Sequence, residues 1–411
     1  MRTIWFLQAG FFLLLAQPVC GLTIGEVVAQ INRQNFQQTH ANLFISAGQN
    51  RGFTGDLDAN ILRVPAFQHD AARDYIRTRF EEFGLHTSLD PFWFTKTYGA
   101  PAYTYTNCNN VVAIQYGAAT NAGWYIIGGH YDSVDEGQQE QQSPGADDNA
   151  SGTAGVLEVA RVLSRYTFRD NLMYIAFDAE EKTLQGSWHF VDTCTTTNPV
   201  LTNLIQRSAV RGMISLDMIA YNPTNSNHNE ARIRGGSSST AAPVRIGLSD
   251  ALRNYTSVRP YNSGVVTASD HQPFYSRGMD ACLLIEYSYG SNPFYHKTGD
   301  SINSDGYIDY DYAVELTRGV AAYCCEQAGI ILPATLTLPD VRADRGETVF
   351  SWGAPSGSIY RIEYTGNLRD TNGWHPLCFI TNFSGWTTLS ITDQVGTVSQ
   401  RFYRVEHLYE Q

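Results

Sequence analysis

The sequence predicts an α/β unit, with a largely parallel sheet covered by helices on both faces, followed by a small all-β unit. Three observations predict it. Beyond about Gly99 short β-type runs alternate with helical ones. Those runs are continuously apolar rather than alternating, as in strands buried on both faces. After the last helical stretch the composition changes to Gly-, Asn- and Asp-punctuated β runs.

The first 21 residues read as a signal peptide: a short basic start at Met1-Arg2-Thr3, an apolar run from Ile4 to Ala16, and small residues around Val19-Cys20-Gly21. The apolar run is short of the ~20 residues of a spanning helix, and no later stretch is long and apolar enough to span. An exported, soluble location (secreted or periplasmic) is therefore expected. From Leu22 to about Gly99 the pattern is helical with loops; apolar positions at Ala72, Tyr75, Ile76, Phe80 and Phe83 share one face of a helix over 70–83. Trp124 to Gly129, Leu172 to Phe177, Met213 to Leu216 and Ala281 to Ile285 are strands, Ser151 to Ser164 a helix, and a last helix runs from about Tyr307 to Gln327. The expected α/β unit is thus 22–332. Residues 333–339, bounded by Pro333 and Pro339, read as a linker. Residues 340–411 form an accessory unit with β runs at Thr348 to Trp352, Tyr360 to Tyr364, Cys378 to Ile380 and Phe402 to Val405, spaced as in a sandwich.

Of the 411 residues 43% are hydrophobic and 17% charged, enough to build a sizeable core and too apolar for general disorder. The net charge is −12, and no basic run exists to attract nucleic acid or an anionic membrane surface. Cys20 lies in the leader. The six cysteines that follow are an even number, which in an oxidising compartment permits disulfides of undetermined pairing. None stands in a Cys-x-x-Cys pair, so a thiolate zinc site is not expected; Cys282, within an apolar strand, reads as a small buried hydrophobe.

His130, Asp148, Glu181, Asp217 and His296 stand at the ends of the expected strands or just past them, with Glu180 beside one of them. In open α/β sheets ligands bind beyond the carboxyl ends of the strands, so these positions converge. Imidazole and carboxylate together suit zinc. Five donors exceed one tetrahedral ion and suit two ions about 3.5–4 Å apart with a carboxylate between them. Asp147 and Asp148 lie side by side at the mouth of a helix. An Asp N-cap accounts for one of them but not both. A Glu-Glu pair is usually solvated surface; at a strand end beside the Asp pair, Glu180-Glu181 reads as part of a site.

Six blocks then become recognisable in order: GGHYDS, PGADDNASG, AFDAEEKTLQGS, SLDMIAYN, ASDHQPF and FYHKTGDS, spanning Gly128 to Ser301. In these the sequence resembles the secreted zinc aminopeptidases with a co-catalytic metal pair, a family that also holds glutamate carboxypeptidases and glutaminyl cyclases. The resemblance does not reach Asp340 to Gln411. It implies a three-layer α/β/α fold with a mostly parallel mixed sheet of the zinc exopeptidase type, two Zn²⁺ per chain and a peptide or protein substrate. It implies that Asp148 bridges the ions, that His130 and Asp217 complete one site, and that Glu181 and His296 complete the other. Glu180 corresponds to the general base that serves a water activated by the two zinc ions. Asp132 corresponds to the acid that orients the His130 ring. Two departures stand out. Thr183 occupies the place, two residues after the ligand Glu, where the family usually has Gly, which would strain Thr if φ were positive there. Gly264 to Ala268 lacks the tyrosine that in some relatives contacts the reacting group. The expected activity is that of an aminopeptidase; the alternatives are a single-zinc glutaminyl cyclase on the same fold and an inactive binding protein. Of the sequons, Asn149-Ala150-Ser151 falls in the metal loop and reads as chance. The preferred side chain and the oligomeric state are not encoded legibly.

Overall fold

The computed structural model describes residues 22–332 apart from 48–52, 56–61, 66, 97–102, 135–143, 199, 201–203, 225–226, 237–238 and 240. It also describes 3–8, 342–344, 347–354, 358–366, 373–381, 387–394 and 401–410. The leader from residue 9 to 21 and the linker 333–339 lie outside the described residues. Two compact units form: Ile24–Ile331, and one that groups Met1–Thr23 with Leu332–Gln411.

In the larger unit, helices α1 (Ile24–Val28) and α2 (Arg33–Ala47) precede strands β1 (Phe53–Gly55) and β2 (Leu62–Pro65), helix α3 (Phe67–Glu82), and strands β3 (His86–Lys96), β4 (Tyr103–Gln115) and β5 (Trp124–His130). Helix α4 (Gly152–Leu163), strand β6 (Asn171–Phe177), helix α5 (Gln185–Cys194) and strands β7 (Val210–Leu216) and β8 (Glu230–Gly235) follow. Helix α6 (Pro243–Tyr255), strand β9 (Arg259–Val265), helix α7 (His271–Ser276), strand β10 (Ala281–Glu286) and helix α8 (Tyr310–Gln327) complete it. The sheet order is β9-β8-β10-β7-β5-β6-β4-β2-β1, with β3 on β4. Strands β10, β7, β5 and β6 run parallel, while β8 is antiparallel to β10 and β4 to β6. This is the mixed, mostly parallel sheet at its centre and an antiparallel margin on each side.

All seven residues of β6 are buried, which is why its sequence is unbroken in apolarity. Alternate side chains serve the two helical layers. Met173, Ile175 and Phe177 pack with Phe190 of α5 and Phe274 of α7. Tyr174, on the opposite face, meets Phe80 of α3, and α4 and α8 pack on that side. Every carboxyl end of the parallel strands opens at the same edge, where the predicted site residues lie.

One stretch departs from the expectation. Residues 22–99 read as helices and loops, yet they hold strands β1, β2 and β3, the last an eleven-residue strand, His86–Lys96, antiparallel to β4. Its side chains are partly exposed on both faces and Pro91 sits within it, so no clean alternation marks it. The six cysteines after residue 21 are all free thiols, so the permitted disulfides are not formed. In the other unit the strands form two antiparallel sheets; one holds Arg342–Asp344, Glu347–Ala354 and Thr387–Gln394. The other holds Ser358–Thr365, His375–Thr381 and Arg401–Glu410, with Thr3–Gln8 paired to the last of these.

Candidate metal centre

His130 ends β5; Asp217 follows β7; Glu180 and Glu181 follow β6 after Asp178-Ala179; His296 lies in the turn after β10. Asp148 lies in the irregular turn Ala146–Ser151 that leads into α4, and its peptide bond to Asn149 is cis. The five converge. His130 Nε2 is 3.3 Å from Asp148 Oδ1 and 3.5 Å from Asp217 Oδ1. His296 Nε2 is 3.2 Å from Asp148 Oδ2 and 3.3 Å from Glu181 Oε2. Two overlapping triads result, His130/Asp148/Asp217 and Asp148/Glu181/His296, with donor atoms within 4.8 Å of one another in each. The two oxygens of Asp148 face different histidines, the disposition a bridging carboxylate needs.

The electrostatics call for positive charge at this spot. Burial, together with the charge of Asp148, pushes the Glu181 carboxyl up to about 7. Burial also holds Glu180 well above the usual carboxylate range. For His296 burial acts downward, but its contacts with Asp148 and Glu181 prevail and push it up to about 11. Glu181 Oε1 and Asp217 Oδ1 are buried without a hydrogen-bond partner. Such clustered, desolvated carboxylates are unfavourable unless a cation meets them. The two triads supply imidazole nitrogen and carboxylate oxygen, the donor set of zinc. The residues fit the metal.

The main chain around the donors is clamped by carboxylates at a distance in sequence. Asp132 accepts from the Glu180 and Glu181 N–H groups at 3.0 and 3.2 Å. His130 Nδ1 lies 3.1 Å from the Asp132 carbonyl and 3.5 Å from its carboxylate Oδ1. Asp132 thus steadies the Glu-Glu turn as well as the ring. Asp300 does the same for the other acid pair, accepting from the Asp147 N–H at 2.7 Å and the Asp148 N–H at 3.0 Å. Asp147 is a brace, not a donor in either triad: it accepts from the Ala220 N–H and from Asn292 Nδ2. Asn149 bonds the Gly152 N–H, the Met218 N–H and the Leu216 carbonyl. So Asn149, not either aspartate, receives the first N–H of α4, that of Gly152, at 2.9 Å. A Cβ at Gly152 would collide with the Asn149 amide and the Leu216 carbonyl. Asn149 is wholly buried, which closes it to glycosylation.

Thr183 has φ 76° and Leu184 φ 60°, so a β-branched residue does stand in the left-handed region. Thr183→Gly is expected to raise stability by about 1 kcal/mol, the relief of strain less the added freedom of the unfolded chain. An unchanged or lower thermal midpoint would count against it.

A cavity of about 530 Å³ opens over the triads, within the usual range of ligand pockets. Glu180 lines it together with the five clustered side chains, and Met218, Val266, Leu283, Ile285 and Tyr289 supply an apolar wall.

Comparison with known proteins follows this geometry. The model of Peptidase family M28 matches residues 110–324, just over half of the chain. The chain is 33% identical to Aminopeptidase YwaD of Bacillus subtilis over 182 residues, 42% of this chain and 35% of that protein. The chain spans less than half the length of the first curated relatives it matches. Among solved structures, the aminopeptidase from Aneurinibacillus sp. strain AM-1 superposes with a TM-score of 0.58 at 16% identity, over 77% of this chain and 98% of that one. Porphyromonas gingivalis glutaminyl cyclase gives 0.56 at 18% identity, over 72% and 98%. Both likenesses concern the α/β fold.

Proposed function

The chain belongs to peptidase family M28, and from that premise we propose that it is an extracytoplasmic aminopeptidase working with two zinc ions. The observation that carries this is the pair of triads sharing Asp148, beside a carboxylate, Glu180, that lines the same cavity and belongs to neither triad. His130 and Asp217 would hold one ion and Glu181 and His296 the other, with Asp148 shared by both triads. Zinc bound there supplies Lewis acidity, making a water acidic near neutral pH and polarising the scissile carbonyl.

Glu180 does the proton work. Its carboxylate accepts the proton of the attacking water and returns it to the leaving amine. Its raised affinity for a proton, caused first by burial, suits a base that must also act as an acid. Asp132 fixes Glu180 through the main chain. The apolar wall receives a substrate side chain. Extracytoplasmic location rests on the leader at Met1 to Gly21; among the described residues no helix is long and apolar enough to cross a membrane.

A panel of amino-acid nitroanilides and amino-terminally blocked peptides, with and without chelator, tests the reading. Hydrolysis of free amino-terminal substrates that chelator abolishes is expected; cleavage of blocked peptides alone would overturn the aminopeptidase. One tightly bound metal in the active protein would favour the cyclase instead.

Asp300→Ala removes the acceptor of two N–H groups next to the bridging residue. Outer partners of this kind are typically worth 10–100-fold in metal affinity. Zinc affinity by chelator competition is expected to fall by that much, with the fold retained; wild-type affinity would show that Asp300 serves only the turn.

A further inference from the structure

Strand β8 alternates, with Glu230, Arg232 and Arg234 on one face and buried Ala231, Ile233 and Gly235 on the other. In its antiparallel register with β10, Arg232 stands opposite Ile285 and Arg234 opposite Leu283. Opposed residues share a face, with Cβ atoms about 4.5–5.5 Å apart. Leu283 and Ile285 are the apolar wall of the metal-centre cavity. Two guanidinium groups therefore lie one strand beyond that wall.

A second cavity of about 290 Å³ opens over them, lined by Arg232, Arg234, Tyr287 and the turn that follows, and Tyr289 borders both cavities. Each arginine is anchored by a main-chain carbonyl: Arg232 Nε donates to Tyr287 O at 2.8 Å, and Arg234 Nη1 to Ser263 O at 2.7 Å. The Arg232 guanidinium also stacks 3.8 Å from the Tyr287 ring centre. Gly264, at φ 80°, leaves the space that the Arg234 guanidinium fills; a Cβ there would collide with it. Arg234 Nε is buried without a partner. In a chain with 40 acidic residues, neither arginine has a carboxylate partner among the described residues, and Glu230 of the same row is taken by Arg259 at 3.3 Å. Two held, uncompensated guanidiniums with donors left over form a cradle for a carboxylate.

We propose that the cleft carries an anion subsite at Arg232 and Arg234 that takes a carboxylate of the peptide substrate, one strand spacing past the apolar wall. This rests on the peptidase reading above. The carboxylate comes either from an acidic side chain or from the free carboxyl terminus of a short peptide.

Two substrate pairs separate these sources: Glu-Ala-amide against Gln-Ala-amide, and Leu-Ala against Leu-Ala-amide. In the wild type the charged member of one pair is expected to have about tenfold higher kcat/KM at low ionic strength, with the preference shrinking as salt screens it. Arg232→Gln with Arg234→Gln should bring that ratio toward one. Equal rates within both pairs, or a preference untouched by the double variant, would overturn the subsite. Should the double variant not fold, the single Arg232→Gln and the wild-type salt dependence read the same ratio. Calorimetric titration of the four peptides into chelator-treated protein keeps the two readings apart. Tighter binding of a charged member, with no hydrolysis of any of the four by the zinc-loaded protein, upholds the subsite and sinks the peptidase; hydrolysis by the zinc-loaded protein without charge discrimination does the reverse.

Discussion

Glu180→Gln is expected to lower kcat by ~10²–10⁴-fold, the usual contribution of a general base, while the zinc content stays near that of the wild type. Gln keeps the size and hydrogen-bonding shape of Glu but cannot take a proton. Glu180 is absent from both triads, so its loss leaves the donor set whole. Glu181→Gln is the control: it alters a triad member and should weaken one of the two metal positions. Elemental analysis alongside steady-state rates reads both. If Glu180→Gln lost metal yet kept most of its rate per zinc pair, the roles of these neighbours would be exchanged.

The second large effect is expected at Asp148. Its two oxygens lie 3.3 Å from His130 and 3.2 Å from His296, so Asp148→Ala removes a donor from both triads at once. Both zinc ions should be lost on desalting and hydrolysis should fall to background. His296→Ala should cost one ion only, because His130, Asp148 and Asp217 remain. An Asp148→Ala protein that kept one tight ion would show that the carboxylate is not shared.

The centre of the sheet was legible because β5, β6, β7 and β10 are buried on both faces and advertise it by unbroken apolarity. The five clustered residues were legible for a related reason: each stands at or beyond the end of such a strand, or in an acid pair that no cap explains. The clamps were not. Asp300 follows His296 in what reads as an ordinary turn, and its partners are 152 and 153 residues away. Asp132 was expected to orient the His130 ring, and its carboxylate lies 3.5 Å from His130 Nδ1; that the same carboxylate also holds the Glu180 and Glu181 main chain was not legible. Strand β8 was missed because its exposed half is Glu-Arg-Arg, and the meaning of those arginines depends on which strand lies beside them. Register is a property of the fold, and no local pattern reports it.

The donors come from five separate chain segments, spread from His130 to His296 and set at the ends of neighbouring strands. Once filled, the centre is a cross-link: none of those segments can peel away without surrendering a cation. Mass action then ties the durability of the whole α/β unit to its surroundings. A ligand bound only by the folded form adds RT ln(1 + [L]/Kd), about 2.7 kcal/mol at a hundredfold excess over Kd. The lifetime of this chain against heat and proteolysis would then follow the free zinc around it.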